Sequence, residues 1–139
     1  KYLSLEEHLS ICEAAGIELD ELERQSEKLL HSKSGAATAK YVYGQPEEVY
    51  WAIFYHTTGR ADMTLLEKIV YLADYMEPNR DFDGVERLRK LAYEDLDAAV
   101  IAALEMGLRM SVDDLTQRGV PIHKNTQGAL DHILERRKG

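Results

Sequence analysis

The spacing of apolar residues along the chain predicts helices almost throughout. Ser4-Leu5-Glu6-Glu7 and Thr64-Leu65-Leu66-Glu67 both have the capping-box pattern that begins a helix, and Gly16 follows a first helix expected to end near Ala15. Further helices are predicted over 20–31, 35–44, 46–55, 64–77, 85–91, 95–117 and 126–136. The sequence shows no internal repeat, no interdomain linker and no convincing strand. These patterns predict an all-α protein.

Composition and charge narrow the class of protein further. A chain of 139 residues with 45% hydrophobic and 30% charged residues has the size of one domain around one core, here residues 1–139. It contains neither an uncharged apolar run of about 18 residues nor a signal peptide, so we expect a soluble, cytoplasmic protein. The single cysteine, Cys12, fits a reducing compartment. The net charge of −8 argues against nucleic acid or an anionic membrane as a partner.

His56 is the first residue whose position is chemically informative. Residues three, four and seven positions before it are apolar, so His56 continues the buried stripe of its helix and its imidazole is expected on the core side. A histidine at a helix end that only hydrogen-bonds a carbonyl is the alternative interpretation. Asp74 falls at the edge of the next apolar face, where we expect it to be half exposed. An ion-paired boundary carboxylate is the alternative there.

His31 is a third candidate ligand beside His56 and Asp74. It lies 25 residues before His56, which in turn lies 18 residues before Asp74, so the three occupy successive helices or helix ends. Such spacings allow antiparallel neighbours to bring their side chains together. Two imidazoles and one carboxylate are a normal ligand set for zinc, manganese or iron, with positions left open for water.

Several segments closely resemble the bacterial YqeK-type branch of the HD-domain phosphohydrolases. The resemblance covers nearly the whole chain, and it is most specific between Tyr55 and Arg80. The matching segments are Leu29-Leu30-His31, Tyr55-His56-Thr57-Thr58-Gly59-Arg60, the run from Met63 to Tyr75, Glu77-Pro78-Asn79-Arg80, Leu88-Arg89-Lys90-Leu91-Ala92, Asp95-Leu96-Asp97-Ala98-Ala99 and Gly119-Val120-Pro121-Ile122-His123.

The resemblance implies an all-helical HD-domain bundle with a metal centre that cleaves diadenosine tetraphosphate symmetrically into two ADP. The ligands of that family are, in chain order, a histidine, a His-Asp doublet, two further histidines and a distal aspartate. The last three match His31, His56 and Asp74. Iron is the expected metal, with manganese or zinc as alternatives and one or two ions in an intact site. The sequence leaves open whether the protein forms a homodimer.

The first histidine and the His-Asp doublet of that family have no counterpart in this sequence. The family's doublet is followed shortly by a lysine, and Lys1-Tyr2-Leu3-Ser4 resembles the continuation of such a segment. We therefore expect a version that lacks the N-terminal helices of the family and keeps at most half of its ligands.

A dinucleoside polyphosphate substrate also requires positive charge and hydrogen-bond donors. Arg60 and Arg80 are the candidates for phosphate contacts, because a guanidinium offers paired donors that an ammonium lacks. A solvated side chain or a surface ion pair is the alternative for each arginine. The remaining candidates are neutral donors from Thr57, Thr58 and the backbone of Gly59, and, as weaker choices, Lys1 and Lys33.

Other polar residues are expected to be structural. His8, His123 and His132 match no ligand position and are predicted to be surface or packing residues. The charged residues between Glu18 and Lys28 are predicted to form a solvated helix face.

The sequence and the family resemblance are consistent with two functions from different classes. The first is the hydrolase, or another HD-type nucleotidase. The second is a helical module that binds a nucleotide or a metal without turnover. A preceding gene segment with a histidine and a His-Asp doublet would favour the enzyme.

Overall fold

The computed structural model describes residues 3–119 and 122–138, except for the side chains of residues 111–115, 118 and 138. Within these ranges the chain forms helices and no strand, which confirms the all-α prediction. The helices are α1 (Leu5–Ala14), α2 (Glu21–Arg24), α3 (Glu27–Tyr41), α4 (Glu47–Phe54), α5 (Leu65–Met76), α6 (Val85–Glu94), α7 (Leu96–Arg118) and α8 (Lys124–Lys138). They divide between two compact units, Lys1–Thr57 and Thr58–Gly139.

The first unit begins with the helix that the sequence predicts. The Ser4 hydroxyl accepts a hydrogen bond from the Glu7 backbone at 3.2 Å, and the Glu7 carboxylate accepts one from the Ser4 backbone at 3.3 Å. The capping box is therefore complete. Gly16 follows the helix with φ +72°, a conformation that favours glycine. The prediction for this helix is confirmed.

The next two helices divide at a different place from the one predicted. The predicted helix over 20–31 is interrupted at Gln25 and Ser26, because the Ser26 hydroxyl accepts a bond from the Leu29 backbone at 3.2 Å and starts a new helix. That helix, α3, runs through Gly35, so the prediction of a helix starting at Gly35 was wrong. Gly35 lies inside α3 next to α4, where a Cβ would be in ordinary van der Waals contact with an Ile53 methyl carbon at 3.6 Å.

Helix α3 is the centre of the first unit and packs against α1, α2 and α4. Its core residues include Leu30, Ala36 and Ala37, and α1 contributes the buried Cys12. Glu23 on α2 is also buried, with an exposed fraction of 5%. The prediction that residues 18–28 form a solvated face was therefore wrong at Glu23.

The second unit has its own apolar core. Helix α5 begins at Thr64, whose hydroxyl accepts a bond from the Glu67 backbone at 3.2 Å. The core residues of this unit are Met63, Tyr71, Leu72, Leu88, Ala99, Val100, Ala103, Leu104, Ala129, Leu130 and Ile133. The predicted apolar face of α5 is only partly buried, because Leu65, Leu66 and Ile69 are exposed. Glu67, by contrast, is buried within the same helix.

Arg89 forms hydrogen bonds with the backbone at the C-terminal end of α5 and in the loop that follows. Arg89 on α6 donates to the carbonyl oxygens of Met76 at 3.1 Å, Glu77 at 3.0 Å and Arg80 at 2.9 Å. Met76 is the last residue of α5 and Glu77 is its C-cap, where carbonyl oxygens have no partner within the helix. Arg89 therefore holds the loop after α5 in place.

No helix among the described residues has the length and apolar character needed to cross a membrane.

Candidate metal centre

The structure brings two of the predicted ligands together within the first unit. His31 lies in the second turn of α3, and His56 follows the C-terminal end of α4. Their Nε2 atoms are 3.2 Å apart, and the two rings meet edge to face at 79°. The two imidazoles therefore present the same ring nitrogen to a common point.

The other nitrogen of each ring is held by the backbone. Nδ1 of His31 lies 2.6 Å from the carbonyl oxygen of Lys28, and Nδ1 of His56 lies 2.6 Å from that of Ile53. A carbonyl oxygen can only accept a hydrogen bond, so each Nδ1 carries the proton and donates. In the neutral rings Nε2 is therefore the atom with a lone pair. A carbonyl that fixes the tautomer and orientation in this way is the usual second partner of a metal-binding histidine.

The spacing of the two Nε2 atoms fits a shared metal ion. Two nitrogens bound at about 2.1 Å lie about 3.0 to 3.4 Å apart for the angles of octahedral and tetrahedral coordination. The observed 3.2 Å lies within that interval. Without a cation two lone pairs would face each other, unless one ring gained a second proton and became charged. The donor set and its geometry therefore fit a transition-metal ion.

Burial favours the neutral, metal-binding form of His31. Loss of solvent lowers the pKa of His31 below its usual value, while the hydrogen bond to the Lys28 carbonyl acts in the opposite direction. The neighbouring His56 also lowers the pKa of His31. A lowered pKa keeps Nε2 unprotonated to a more acidic pH, so protons compete less with a metal for this ligand.

Asp74, the third predicted ligand, lies on α5 in the second unit. It is half exposed, with 48% of its side chain accessible, as expected from its position at the edge of the apolar face. Arg80 donates a hydrogen bond to Asp74 at 3.1 Å. The ion-paired boundary carboxylate considered from the sequence is therefore present, and the role of Asp74 as a ligand stays a prediction.

Arg60 is held in place by a buried carboxylate. Its Nε and one terminal nitrogen donate to Glu67 at 2.6 and 2.9 Å, and Glu67 has an exposed fraction of only 2%. The Thr64 hydroxyl donates to the same carboxylate at 2.9 Å. Sequence reasoning treated Glu67 only as a capping residue, although a glutamate surrounded by apolar residues was a signal of a buried partner. The two bonds to Glu67 therefore fix the position of the Arg60 guanidinium.

The two residues before Arg60 serve the packing of the second unit. Thr58 is buried and its hydroxyl donates to the Gly59 carbonyl at 2.9 Å. Gly59 has φ +71°, and a Cβ there would lie 3.3 Å from side-chain carbons of Leu104 and Ala129. The segment needs glycine for both reasons. Thr57, which precedes Thr58, is partly exposed.

The remaining candidates for phosphate contacts differ in accessibility. Arg80 is half exposed, with 47% of its side chain accessible. Lys33 is buried and forms an ion pair with Glu23, which favours a structural role over the phosphate contact expected from the sequence. Lys1 lies outside the described residues.

The histidines without a predicted ligand role include two packing residues. His8 is 2% exposed, and its Nδ1 lies 2.7 Å from the Ser34 hydroxyl. His123 is 8% exposed, and its Nδ1 accepts a bond from the Asn125 backbone at 3.1 Å. His132 is partly exposed. The prediction of surface or packing roles agrees with these positions.

Comparison with known proteins assigns the fold to a family. No protein-family model matches the chain. A solved structure from Clostridium acetobutylicum, described as a predicted HD superfamily hydrolase involved in NAD metabolism, superposes with a TM-score of 0.89 at 41% identity. The match covers 98% of this chain and 70% of that one. The chain belongs to the HD superfamily of hydrolases.

Three curated bacterial proteins that share one name are also similar to this chain. Proteins named symmetrical bis(5'-nucleosyl)-tetraphosphatase are 41% identical in Halalkalibacterium halodurans over 81% of this chain, and 49% identical in Bacillus subtilis over 56% of it. A protein of the same name in Staphylococcus aureus is 38% identical over 76% of the chain. The matches cover 58%, 42% and 54% of these relatives, so the chain spans about half of their length.

Proposed function

We propose that the protein is a metal-dependent phosphohydrolase that cleaves dinucleoside tetraphosphates symmetrically, converting diadenosine tetraphosphate and water into two ADP. The observation that carries this proposal is the histidine pair, whose Nε2 atoms face each other at 3.2 Å while both Nδ1 atoms are bound to backbone carbonyls. The names of the curated relatives support the substrate, and the fold supports the reaction class.

His31 and His56 would hold the metal through Nε2, with Asp74 as the predicted third ligand. A divalent cation in such a site acidifies a water nucleophile and neutralises charge on phosphoryl oxygens. Iron is the proposed metal, with manganese or zinc as alternatives, because imidazole suits each of these ions. The protein fixes the orientation of both imidazole rings through the Lys28 and Ile53 carbonyls.

Arg80 is the main proposed contact to a phosphate. Its guanidinium is half exposed, and the Arg89 bond to the Arg80 carbonyl fixes the loop that carries it. Arg60 is a second candidate, oriented by its two bonds to Glu67. Thr57 and the Gly59 backbone N–H remain candidates for neutral donors. We place the reaction in the bacterial cytoplasm, in line with the organisms of the relatives.

Product analysis tests the proposed function. The complete gene product, loaded with iron or manganese, is expected to convert diadenosine tetraphosphate into ADP alone, as measured by anion-exchange chromatography. Formation of ATP and AMP would contradict symmetric cleavage. Metal and nucleotide binding without any turnover would favour the binding module instead.

A substitution at the histidine pair tests the assigned site. We expect His56→Ala to abolish turnover while the far-ultraviolet circular dichroism spectrum keeps its helical form, because the side chain is removed from the end of α4 rather than from the core. His132→Ala is the matched control, since His132 is partly exposed and has no proposed role. Unchanged turnover in His56→Ala would remove the metal-site assignment.

A further inference from the structure

A buried ion pair joins three of the four helices in the first unit. Lys33 on α3 is paired with Glu23 on α2, and their side chains are only 10% and 6% exposed. The Lys33 ammonium also lies 5.0 Å from the centre of the Phe54 ring on α4, a distance typical of a cation–π contact. One charged side chain therefore contacts both neighbouring helices.

Glu23 divides its carboxylate between two tasks. Its Oε1 accepts a bond from the Asp20 backbone at 3.1 Å, which completes the capping box of α2, and its Oε2 bonds Lys33. Both oxygens are thus engaged in fixed directions. The ion pair therefore connects the short helix α2 to α3.

The contacts of Lys33 lie next to both predicted ligands. Lys33 follows His31 by two residues on α3, and Phe54 precedes His56 by two residues at the end of α4. Ile53, whose carbonyl orients His56, is the neighbour of Phe54 in the chain. The Lys33–Phe54 contact therefore joins the two backbone segments whose spacing determines the distance between the Nε2 atoms.

We propose that Lys33 is a positioning residue for the histidine pair: through Glu23 and Phe54 it sets α3 against the end of α4 so that both Nε2 atoms face one metal ion. This proposal rests on the metal role proposed above for the pair. An apolar side chain would fill the same space without the desolvation that a buried ion pair requires. Unlike an apolar side chain, the Lys33 ammonium makes directional contacts with Glu23 and Phe54, and such contacts can fix the position of one helix against another.

The test compares two lysines of α3 that each form an ion pair and lie over an aromatic ring on α4. The double variant Lys33→Met/Glu23→Gln removes both charges together, so no lone charge stays buried. Lys40→Met is the matched control, because Lys40 also forms an ion pair, with Glu47, and lies 5.1 Å from the Tyr50 ring. Lys40 is nine residues beyond His31 and therefore far from the metal centre along α3.

Two readouts separate positioning from stability. The first is the ¹⁵N spectrum of the histidine rings in the metal-free protein, and the second is zinc affinity by calorimetry, both at a temperature where each variant is folded. In the double variant we expect the ring signals of His31 and His56 to shift and their Nδ1–H protons to exchange faster, with at least tenfold weaker zinc binding. In Lys40→Met the affinity should stay within twofold.

Ring spectra and zinc affinity equal to those of the unmodified protein in the double variant would overturn the proposal. If the unmodified protein bound no zinc, the metal role of the pair would fail, and the metal-free ring spectra would still decide the positioning role. If the double variant did not fold, Glu23→Gln alone would decide, since it keeps the shape of the glutamate and removes one charge. Shifted ring signals would then support the proposal, and unchanged signals would refute it.

Discussion

At the scale of single residues, the histidine pair shows what a sequence can and cannot reveal. The apolar positions before His56 predict a core-facing imidazole at a helix end, and the structure shows a partly buried ring that contacts His31. They gave no information about which ring nitrogen would face inward, because that depends on the Lys28 and Ile53 carbonyls, which only the folded backbone places. The resemblance to a family supplied the pairing of His31 with His56, and the geometry supplies its chemical reason.

The lowered pKa of His31 predicts a pH dependence of folding. A histidine whose pKa is lower in the folded than in the unfolded protein is protonated first in the unfolded state. The free energy of unfolding of the metal-free protein should therefore fall as the pH drops below about 6.5, the usual histidine pKa, and level off below the folded pKa. Urea titrations at several pH values measure this slope.

His31→Gln provides the comparison for this slope, because it removes the titrating ring while keeping a polar side chain. The part of the slope that comes from His31 should disappear, so the free energy of unfolding should change less with pH below neutral pH. Identical slopes in the two proteins would show that His31 does not have a lowered pKa.

At the scale of helices, capping residues explain both the correct and the wrong boundaries. Ser4 and Thr64 start helices as their sequence patterns indicate. Ser26 starts α3 in the same way, at a point inside the helix that the sequence predicts over 20–31. Gly35, the predicted start of the next helix, instead lies inside α3 beside Ile53 of α4. Such a contact depends on α4, which local sequence does not show.

Two glycines inside helices offer a direct test of packing. A Cβ at Gly107 on α7 would lie 2.8 Å from the Tyr75 hydroxyl, whereas a Cβ at Gly128 on α8 would have no heavy atom within 4 Å. We expect Gly107→Ala to destabilise the protein by about 1 to 3 kcal/mol, because the partly buried Tyr75 side chain must move. Gly128→Ala should stabilise it by up to about 1 kcal/mol through helix propensity.

Thermal unfolding monitored by circular dichroism measures both glycine variants. Opposite signs of the change in melting temperature are expected from substitutions that are chemically identical. Equal shifts in the two variants would mean that α7 does not approach Tyr75 as closely as the structure shows.

The three carbonyl contacts of Arg89 predict a specific effect on the loop after α5. Arg89→Lys keeps the charge but cannot reproduce the branched donor geometry toward Met76, Glu77 and Arg80. We expect a loss of about 0.5 to 1.5 kcal/mol of stability, the net contribution of a typical hydrogen bond, because the three acceptor residues are partly buried or exposed. Faster amide hydrogen exchange should be confined to residues 77–84.

Arg87→Lys on the exposed side of α6 is the control for this substitution. It should change the unfolding free energy by less than about 0.5 kcal/mol, as surface substitutions usually do. Equal exchange rates in residues 77–84 of both variants would contradict the role assigned to Arg89.

At the scale of the whole molecule, the all-α class followed from periodicity, and family membership followed from the segment between Tyr55 and Arg80. The buried charges were the main features that sequence reasoning missed. Glu23 and Glu67 were expected at solvated or capping positions, yet each is the buried partner of a cation on another segment. The apolar neighbours of Glu67 indicate that it is buried, but the local sequence does not identify the cation that pairs with either glutamate.

The central claim is that the Nε2 atoms of His31 and His56 bind one metal ion. ¹⁵N spectra of the complete gene product with labelled histidines, recorded during titration with zinc, test it most directly. Both Nε2 signals are predicted to shift together while both Nδ1 atoms stay protonated, and the ring signals of His8 and His132 should not move. Unshifted Nε2 signals of the pair, or loss of the Nδ1 protons, would contradict the claim.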